Sequence, residues 1–211
     1  MTGEYLTVKN AFETEYVIEK SRFIGKIEHV ESEEQARELI AAVKKKHAFA
    51  THVCHAFIAD KDGLLCRYSD DGEPQGTAGL PILEVLKNKG LRQVLVTVTR
   101  YFGGIKLGAG GLVRAYTRSA ADACNGAKTA RMTYATTIRF SLPYEFLPVY
   151  DKVTSTLAGE ETARVFDSAV QIERTVPQSE EQALREKITA LFMGKVSVEK
   201  IGESYHAFLV E

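Results

Sequence analysis

The sequence predicts an α+β protein built from two domains. Three observations lead to this prediction: helical and strand-like periodicities alternate along the 211 residues, a small-residue stretch at 125–131 interrupts them, and the segments after it follow the order βαββαβ. That order is typical of ferredoxin-like domains. We therefore expect a first domain over residues 1–130 and a ferredoxin-like domain over 131–211.

In the first domain, the strongest local signal is a helix that begins after Ser32. Ser32 and Gln35 have the spacing of a capping box, and the lysines at 44–46 complement the negative end of the helix dipole. The other predicted elements are strands over 15–20, 22–30, 51–59, 64–68 and 93–101, a helix over 81–89, and a helix from about Gly110 to Cys124. This order requires at least one crossover between strands.

The second domain is predicted from six segments. They are a strand over 133–144, a helix over 145–158, strands over 162–167 and 169–177, a helix over 179–192 and a strand over 195–210. The string SEEQA opens a helix twice, at 32–36 and at 179–183. Because no similarity extends on either side, shared capping chemistry explains the repeat better than an internal duplication.

Composition narrows the class of protein. The net charge of −1 argues against indiscriminate binding of nucleic acid, so any such binding must be local. Cys54, Cys66 and Cys124 form no CxxC pair, which favours reduced thiols over disulfides or a zinc site. The chain has neither a leader pattern nor an apolar run of membrane-spanning length. We expect a cytoplasmic protein with no membrane partner, no bound metal and no cofactor.

Residues 98–118 concentrate both positive charge and glycine. No Asp or Glu occurs from residue 85 to 121, and the glycines let backbone N–H groups approach a ligand ahead of a helix that offers its own N-terminal donors. The spacing matches neither the dinucleotide-binding nor the P-loop motif. The segment predicts a site for an anion or a charged partner, formed by Arg100, Tyr101, Gly103, Gly104, Lys106, Gly108, Gly110, Gly111, Arg114 and Arg118.

A second loop, over residues 67–86, supplies possible supporting residues for this site, namely His52, Arg67, Asp70, Asp71 and Glu73. The arginines of the basic segment have two alternative roles. They either bind phosphates of RNA or an acidic protein surface, or they pair internally with the three carboxylates. Strand alternation points Tyr101 and Phe102 to opposite faces, and we expect Phe102 to be buried.

Two enzymatic alternatives remain open at this point. Asp70, Asp71 and Glu73 could hold Mg²⁺ against a phosphate, which would make the protein a metal-dependent hydrolase or phosphotransferase for a phosphorylated or nucleotide substrate. Cys54 could act as a nucleophile with His52 as its base, because the two share a strand face. No third group orients that base, and a half-buried structural histidine is the simpler interpretation.

Two strings carry a family resemblance: DDGEPQGTAGLPIL at 70–83 and RYFGGIKLGAGGLVRAY at 100–116. They resemble the signature of the IMPACT family, whose eukaryotic members regulate translation initiation by competing for the activator of an initiation-factor kinase. The resemblance is strongest over residues 15–126. It implies a first domain similar to the second domain of ribosomal protein S5 and a second domain similar to the last domain of elongation factor G.

Taken with the basic segment, the resemblance implies a translation-associated regulator rather than an enzyme. We expect a cytosolic binding protein whose partner is RNA, the ribosome or a translation factor. The eukaryotic members carry an accessory domain that this sequence lacks, so the resemblance carries over a general theme and no particular partner.

Overall fold

The computed structural model describes residues 3–210, which form two compact units. One unit contains residues 5–131 with 209–210, and the other contains residues 3–4 and 132–208. Both combine a β-sheet with helices, so the predicted α+β class is confirmed. None of the helices within residues 3–210 combines the length and apolarity needed to span a bilayer.

The sheet of the first unit has the strand order β2-β3-β6-β4-β5, and all its pairings are antiparallel. The strands of this unit are β1 (Tyr5–Val8), β2 (Phe12–Ile18), β3 (Ser21–His29), β4 (His52–Ile58), β5 (Cys66–Ser69) and β6 (Val94–Tyr101). Its helices are α1 (Glu33–Lys46), α2 (Gly79–Asn88) and α3 (Gly108–Gly126). Because β3 and β4 flank β6 on opposite sides, α1 makes the predicted crossover.

The central strand β6 is buried from Val94 to Arg100 and separates two cores. Its even-numbered valines face α2 and α3, where Phe23 and Tyr116 pack edge to face with ring centroids 5.3 Å apart. Leu95 faces the opposite side and packs with α1. Alternation along β6 therefore assigns each of its side chains to one helix layer.

The predicted cap of α1 is confirmed in part. The Ser32 hydroxyl accepts a hydrogen bond from the Gln35 N–H, while the Gln35 side chain accepts from the N–H of Glu31 rather than from that of Ser32. Two boundaries differ from the predictions, since α2 begins at Gly79 and α3 begins at Gly108. The four-residue strand β1 was not predicted, because it is too short to show a period.

From β7 onward the elements follow the predicted order βαββαβ. They are β7 (Thr129–Leu142), α4 (Leu147–Val153), β8 (Glu160–Phe166), β9 (Val170–Pro177), α5 (Glu181–Leu191) and β10 (Val198–Leu209). The strands lie in the order β10-β7-β9-β8, which is the ferredoxin-like arrangement. The small-residue stretch 125–131 is not an extended connection, because α3 ends and β7 begins within it.

Two helix predictions in this unit need correction. The segment 145–158 forms a short α-helix between two 3₁₀ turns, because Pro148 lies at the helix start and the run Thr154–Thr156 favours a tight turn. The second SEEQA string does not repeat the cap of the first. A 3₁₀ turn over Gln178–Glu180 precedes α5, and no side chain caps that helix.

One arginine organises the core of the second unit. Arg174 is 2% exposed and donates hydrogen bonds to the carbonyl oxygens of Leu157, Ala158 and Gly159. It also donates to the hydroxyls of Tyr150 and Thr154. The segment between α4 and β8 is therefore held by a single buried guanidinium group.

Candidate functional site

The glycine-rich loop joins β6 to α3, and internal geometry accounts for most of its glycines. Gly104 and Gly108 have φ angles of +87° and +68°, which side chains rarely allow. A Cβ on Gly103 would lie 2.0 Å from the carbonyl carbon of Lys20, in the turn between β2 and β3. Turn conformation and close packing thus explain these three glycines without a ligand.

The two remaining glycines lie in the first turn of α3. A Cβ on Gly111 would lie 2.9 Å from Cβ of Leu107. A Cβ on Gly110 would meet only the Arg114 guanidinium, with Nη1 3.6 Å away. Of the five glycines, Gly110 alone is explained neither by a positive φ nor by crowding.

A groove of about 800 Å³ lies between the β2–β3 turn and the start of α3. We call it the cationic groove and define it by Glu19, Lys106, Leu107, Gly111, Arg114 and Arg118. Lys106 and Arg114 are exposed and make no ion pair or hydrogen bond with the described residues. Arg118 is paired only loosely, with its Nε 3.4 Å from Oδ2 of Asp122 and a side chain that is 66% exposed.

An aromatic ring supports Arg118 in this groove. The Arg118 guanidinium lies 4.8 Å from the centroid of the Tyr16 ring, and the Tyr16 hydroxyl donates to the carbonyl oxygen of Ala115 at 2.7 Å. Burial raises the pKa of Tyr16 to about 12, so the phenol stays neutral at physiological pH. The cation–π contact orients the guanidinium while leaving its N–H donors accessible.

Arg100 adopts the other predicted role, internal pairing. It is 5% exposed, and its Nη1 donates to Oε1 of Glu73 at 2.6 Å. The same carboxylate oxygen accepts from the Tyr116 hydroxyl at 2.7 Å, and Arg100 Nη2 donates to Ser21 Oγ at 3.3 Å. Arg114 and Arg118, in contrast, pair with none of the three carboxylates of the 70–73 loop.

The carboxylates of Asp70 and Asp71 fix the loop that contains them. Asp70 accepts from the N–H groups of Gly76, Ala78 and Gly79 at the start of α2. Partial burial acts to raise the pKa of Asp70, but these donors outweigh it and the pKa lies below its usual range. Asp71 accepts from the N–H of Val53 and from Lys44 Nζ. Among residues 3–210, no group of three His, Cys, Asp or Glu side chains is arranged to hold a metal ion.

Tyr101 and Phe102 have different surroundings in the structure. The prediction that Phe102 is buried is wrong. Phe102 is 46% exposed, because it follows the last residue of β6 and lines an open recess. Tyr101 is half-buried, and its hydroxyl lies 2.9 Å from Nδ1 of His47. Arg67 lies on the edge strand β5 with Nη2 3.8 Å from a Glu33 oxygen, outside the groove lining.

A second recess, which we call the side pocket, adjoins the groove. It encloses about 420 Å³ and is lined by Thr51, His52, Glu73, Arg100, Phe102 and Lys106, among others. Lys106 and Leu107 line both recesses. His52 Nδ1 lies 2.8 Å from the carbonyl oxygen of Asp71 and must carry the proton of that bond, because a carbonyl oxygen only accepts.

Cys54 does not line the side pocket and is poorly suited to nucleophilic chemistry. It is fully buried and donates from its sulfur to the carbonyl oxygen of Asp70 at 2.9 Å. Burial raises the pKa of the Cys54 thiol to about 12 and that of Cys124 to about 11. The reactive form is the thiolate, so both thiols are held in their unreactive state.

This arrangement predicts how the three thiols react. We expect only Cys66, which is half-buried, to react readily with a thiol reagent in the native protein at about pH 8, and all three to react after unfolding. Thiol counting with and without denaturant measures both numbers. Rapid labelling of Cys54 in a native Cys66→Ser variant would contradict the buried, protonated state.

Comparison with known proteins places these features in a family. The family model described as the Impact N-terminal domain matches residues 19–124, half of the chain. The IMPACT family member YvyE of Bacillus subtilis is 39% identical over 203 residues, which are 95% of this chain and 92% of that protein. The chain belongs to the IMPACT family. The family resemblance of the two quoted strings is thereby confirmed.

Two further similar proteins match over different lengths of the chain. A solved structure described as a hypothetical protein is 29% identical, covers 96% of this chain and 98% of that chain, and superposes with a TM-score of 0.62. The Saccharomyces cerevisiae protein IMPACT homolog is 34% identical over 91 residues, which are 42% of this chain and 35% of that protein. The family match at 19–124 contains Lys106, Arg114 and Arg118 of the groove and all the named residues of the side pocket.

Proposed function

We propose that this IMPACT family protein is a non-enzymatic binding protein that acts in translation and binds RNA phosphates through the cationic groove. One observation carries the proposal. Arg114 and Arg118 lie one helical turn apart on α3, line the same groove as Lys106, and are not neutralised by the loop carboxylates nearby. The charges that the sequence concentrates in one segment are therefore available to an external anion.

The chemistry of these groups suits phosphate better than an arbitrary anion. A guanidinium group offers a planar pair of donors that matches two phosphate oxygens, and arginines at i and i+4 project from the same side of a helix. The first turn of α3 adds backbone N–H groups next to Gly110, where the absence of a side chain leaves the backbone accessible. Glu19 at the rim is the acidic residue among those that define the groove.

Family membership supports the translation context of the proposal. The sequence resemblance connects this family to eukaryotic regulators of translation initiation, and ribosomal RNA is the most abundant polyphosphate that a translation-associated protein in the cytoplasm meets. A translation factor with an acidic surface is the other partner that the same charges would accept. The experiment below separates the two.

A metal-dependent hydrolase or phosphotransferase has less support. Such an enzyme would need the carboxylates of Asp70, Asp71 and Glu73 to bind a metal ion together. Asp70 instead accepts three backbone hydrogen bonds at the start of α2, Asp71 holds β4 and Lys44, and Glu73 pairs with Arg100. These oxygens already hold the loop and the core in place.

The proposal predicts a specific loss of binding. The double variant Arg114→Ala/Arg118→Ala is expected to weaken association with ribosomal particles by roughly tenfold or more, because it removes two phosphate contacts. Co-sedimentation of the full chain with ribosomes at low and high salt measures this change. The thermal unfolding midpoint is expected to stay near the wild-type value, since both side chains are exposed.

A matched control keeps the charge change constant. The double variant Arg37→Ala/Lys45→Ala also removes two positive charges, from the exposed face of α1 outside the groove lining. It is expected to sediment like the wild type. Equal losses in both double variants would show a net-charge effect only. Binding that survives nuclease digestion of the RNA but still requires Arg114 and Arg118 would identify a protein partner instead.

A further inference from the structure

We infer that the side pocket receives one unstacked base of a single-stranded RNA whose backbone occupies the cationic groove. This inference rests on the proposed function and names its substrate class, single-stranded rather than duplex RNA. It follows from three features of the side pocket: an exposed aromatic ring at its edge, a floor that accepts hydrogen bonds, and a direct connection to the groove.

The aromatic ring is that of Phe102. The Arg100 guanidinium lies over this ring at 5.4 Å from its centroid, and Arg100 is itself fixed by Glu73 and Ser21. The backbone N–H of Phe102 donates to Thr51 Oγ1 at 3.0 Å, which fixes the start of the loop. The ring is nevertheless 46% exposed. A rigid ring with one face on a guanidinium group and the remainder open is a suitable platform for a nucleobase.

The floor of the pocket presents one acceptor, the Oε2 oxygen of Glu73. His52 Nδ1 donates to the carbonyl oxygen of Asp71, which leaves Nε2 as the ring nitrogen near the Glu73 carboxylate. That nitrogen lies 3.8 Å from Oε2 of Glu73, too far for a direct hydrogen bond, and the hydrogen bonds of Glu73 to Arg100 and Tyr116 involve the other oxygen, Oε1. The edge of a nucleobase carries amino or imino N–H donors that match this carboxylate oxygen.

The side pocket is large enough for a nucleotide and opens onto the cationic groove. A recess of about 420 Å³ is in the range of small-molecule sites and accommodates a base with its ribose. Lys106 and Leu107 form a wall common to the pocket and the groove, so a base in the pocket would leave its phosphate next to Lys106 and the following phosphates towards Arg114 and Arg118. A duplex keeps its bases stacked and paired, and therefore cannot place one in the pocket.

The test uses Phe102→Leu, which removes the aromatic face and keeps an apolar side chain. Fluorescence anisotropy compares a labelled single strand of about 12 nucleotides with a duplex of the same sequence, both titrated with the full-length protein. We expect Phe102→Leu to weaken single-strand binding by roughly tenfold and to leave duplex binding unchanged. Phe102→Trp is expected to retain single-strand binding. The control Phe49→Leu alters another exposed ring of the same unit and is expected to change neither affinity.

The possible outcomes distinguish a failure of the base pocket from a failure of the proposed function. An equal effect of Phe102→Leu on both RNAs, or no effect on either while Arg114→Ala/Arg118→Ala weakens both, overturns the base pocket and leaves the proposed function standing. If the double arginine variant binds both RNAs like the wild type, the proposed function itself fails. A third outcome is that the wild type binds a free mononucleotide, Phe102→Leu does not, and neither protein prefers single-stranded RNA to the duplex. This outcome overturns the inference in favour of a small-molecule site.

Discussion

Replacing Glu73 by alanine is expected to lower the free energy of unfolding of the first unit by about 3–5 kcal/mol. The substitution leaves the Arg100 guanidinium buried without its carboxylate and deprives the Tyr116 hydroxyl of its acceptor. A buried charge that loses its partner keeps its desolvation cost, which is why breaking such a pair costs far more than the pair contributes. Urea unfolding of the full chain measures the change.

A double variant distinguishes charge from packing. Replacing both members of the pair, as Glu73→Met/Arg100→Met, is expected to recover much of the stability lost in Glu73→Ala, because no unpaired charge remains. The exposed pair between Arg37 and Glu33 serves as a control, and its loss is expected to leave the free energy of unfolding nearly unchanged. A cost of similar size for Glu73→Ala would show that the Arg100 pair is solvated.

The second large effect is expected at Arg174. Replacing it by methionine is expected to destabilise the second unit by about 3 kcal/mol or more, because the carbonyl oxygens of residues 157–159 lose their buried donors together. Methionine is apolar and of similar length. The loss of stability therefore reflects the missing hydrogen bonds more than a change in side-chain volume. Amide hydrogen exchange over residues 132–208 localises the effect to this unit.

The neighbouring Arg139 provides the matched control. Its guanidinium bonds Glu173 on an exposed face of the β7–β9 pair. Arg139→Met is therefore expected to cost less than about 1 kcal/mol. If Arg174→Met is no more destabilising than Arg139→Met, the buried guanidinium does not hold the segment between α4 and β8.

Local patterns predicted the elements whose formation depends on local chemistry. The cap and apolar face of α1, the buried run of β6 and the βαββαβ order after residue 129 could all be predicted, because each follows from a period or a turn residue. The start of α3 could not. Gly108, Gly110 and Gly111 are poor helix formers, and the helix includes them because Leu112, Ala115 and Tyr116 bury its inner face.

The arginines show what the sequence could and could not distinguish. All three looked alike as positive residues of one basic segment. Arg100 has the same parity as Val96 and Val98, which pack against α2 and α3, and this parity is the sequence signal that could have indicated its burial. The pairing with Glu73 and Tyr116 depends on the tertiary arrangement, as does the contact of Tyr16 with Arg118, and no sequence spacing encodes either.

Phe102 shows the limit of the alternation rule. The prediction that Tyr101 and Phe102 point apart followed from strand geometry, whereas burial depends on what covers each face. Tyr101 meets His47 at the end of α1, and Phe102 emerges where β6 has ended and α3 has not begun. The side pocket exists because of this gap between two elements.

The salt dependence of RNA binding shows whether Arg114 and Arg118 contact phosphates. A plot of the logarithm of the association constant against that of the salt concentration has a slope proportional to the number of phosphates contacted. We expect the Arg114→Ala/Arg118→Ala variant to bind RNA more weakly than the wild type, with a slope that is smaller in magnitude by about two. The Arg37→Ala/Lys45→Ala control is expected to keep the wild-type slope. Identical slopes for all three proteins would contradict this expectation.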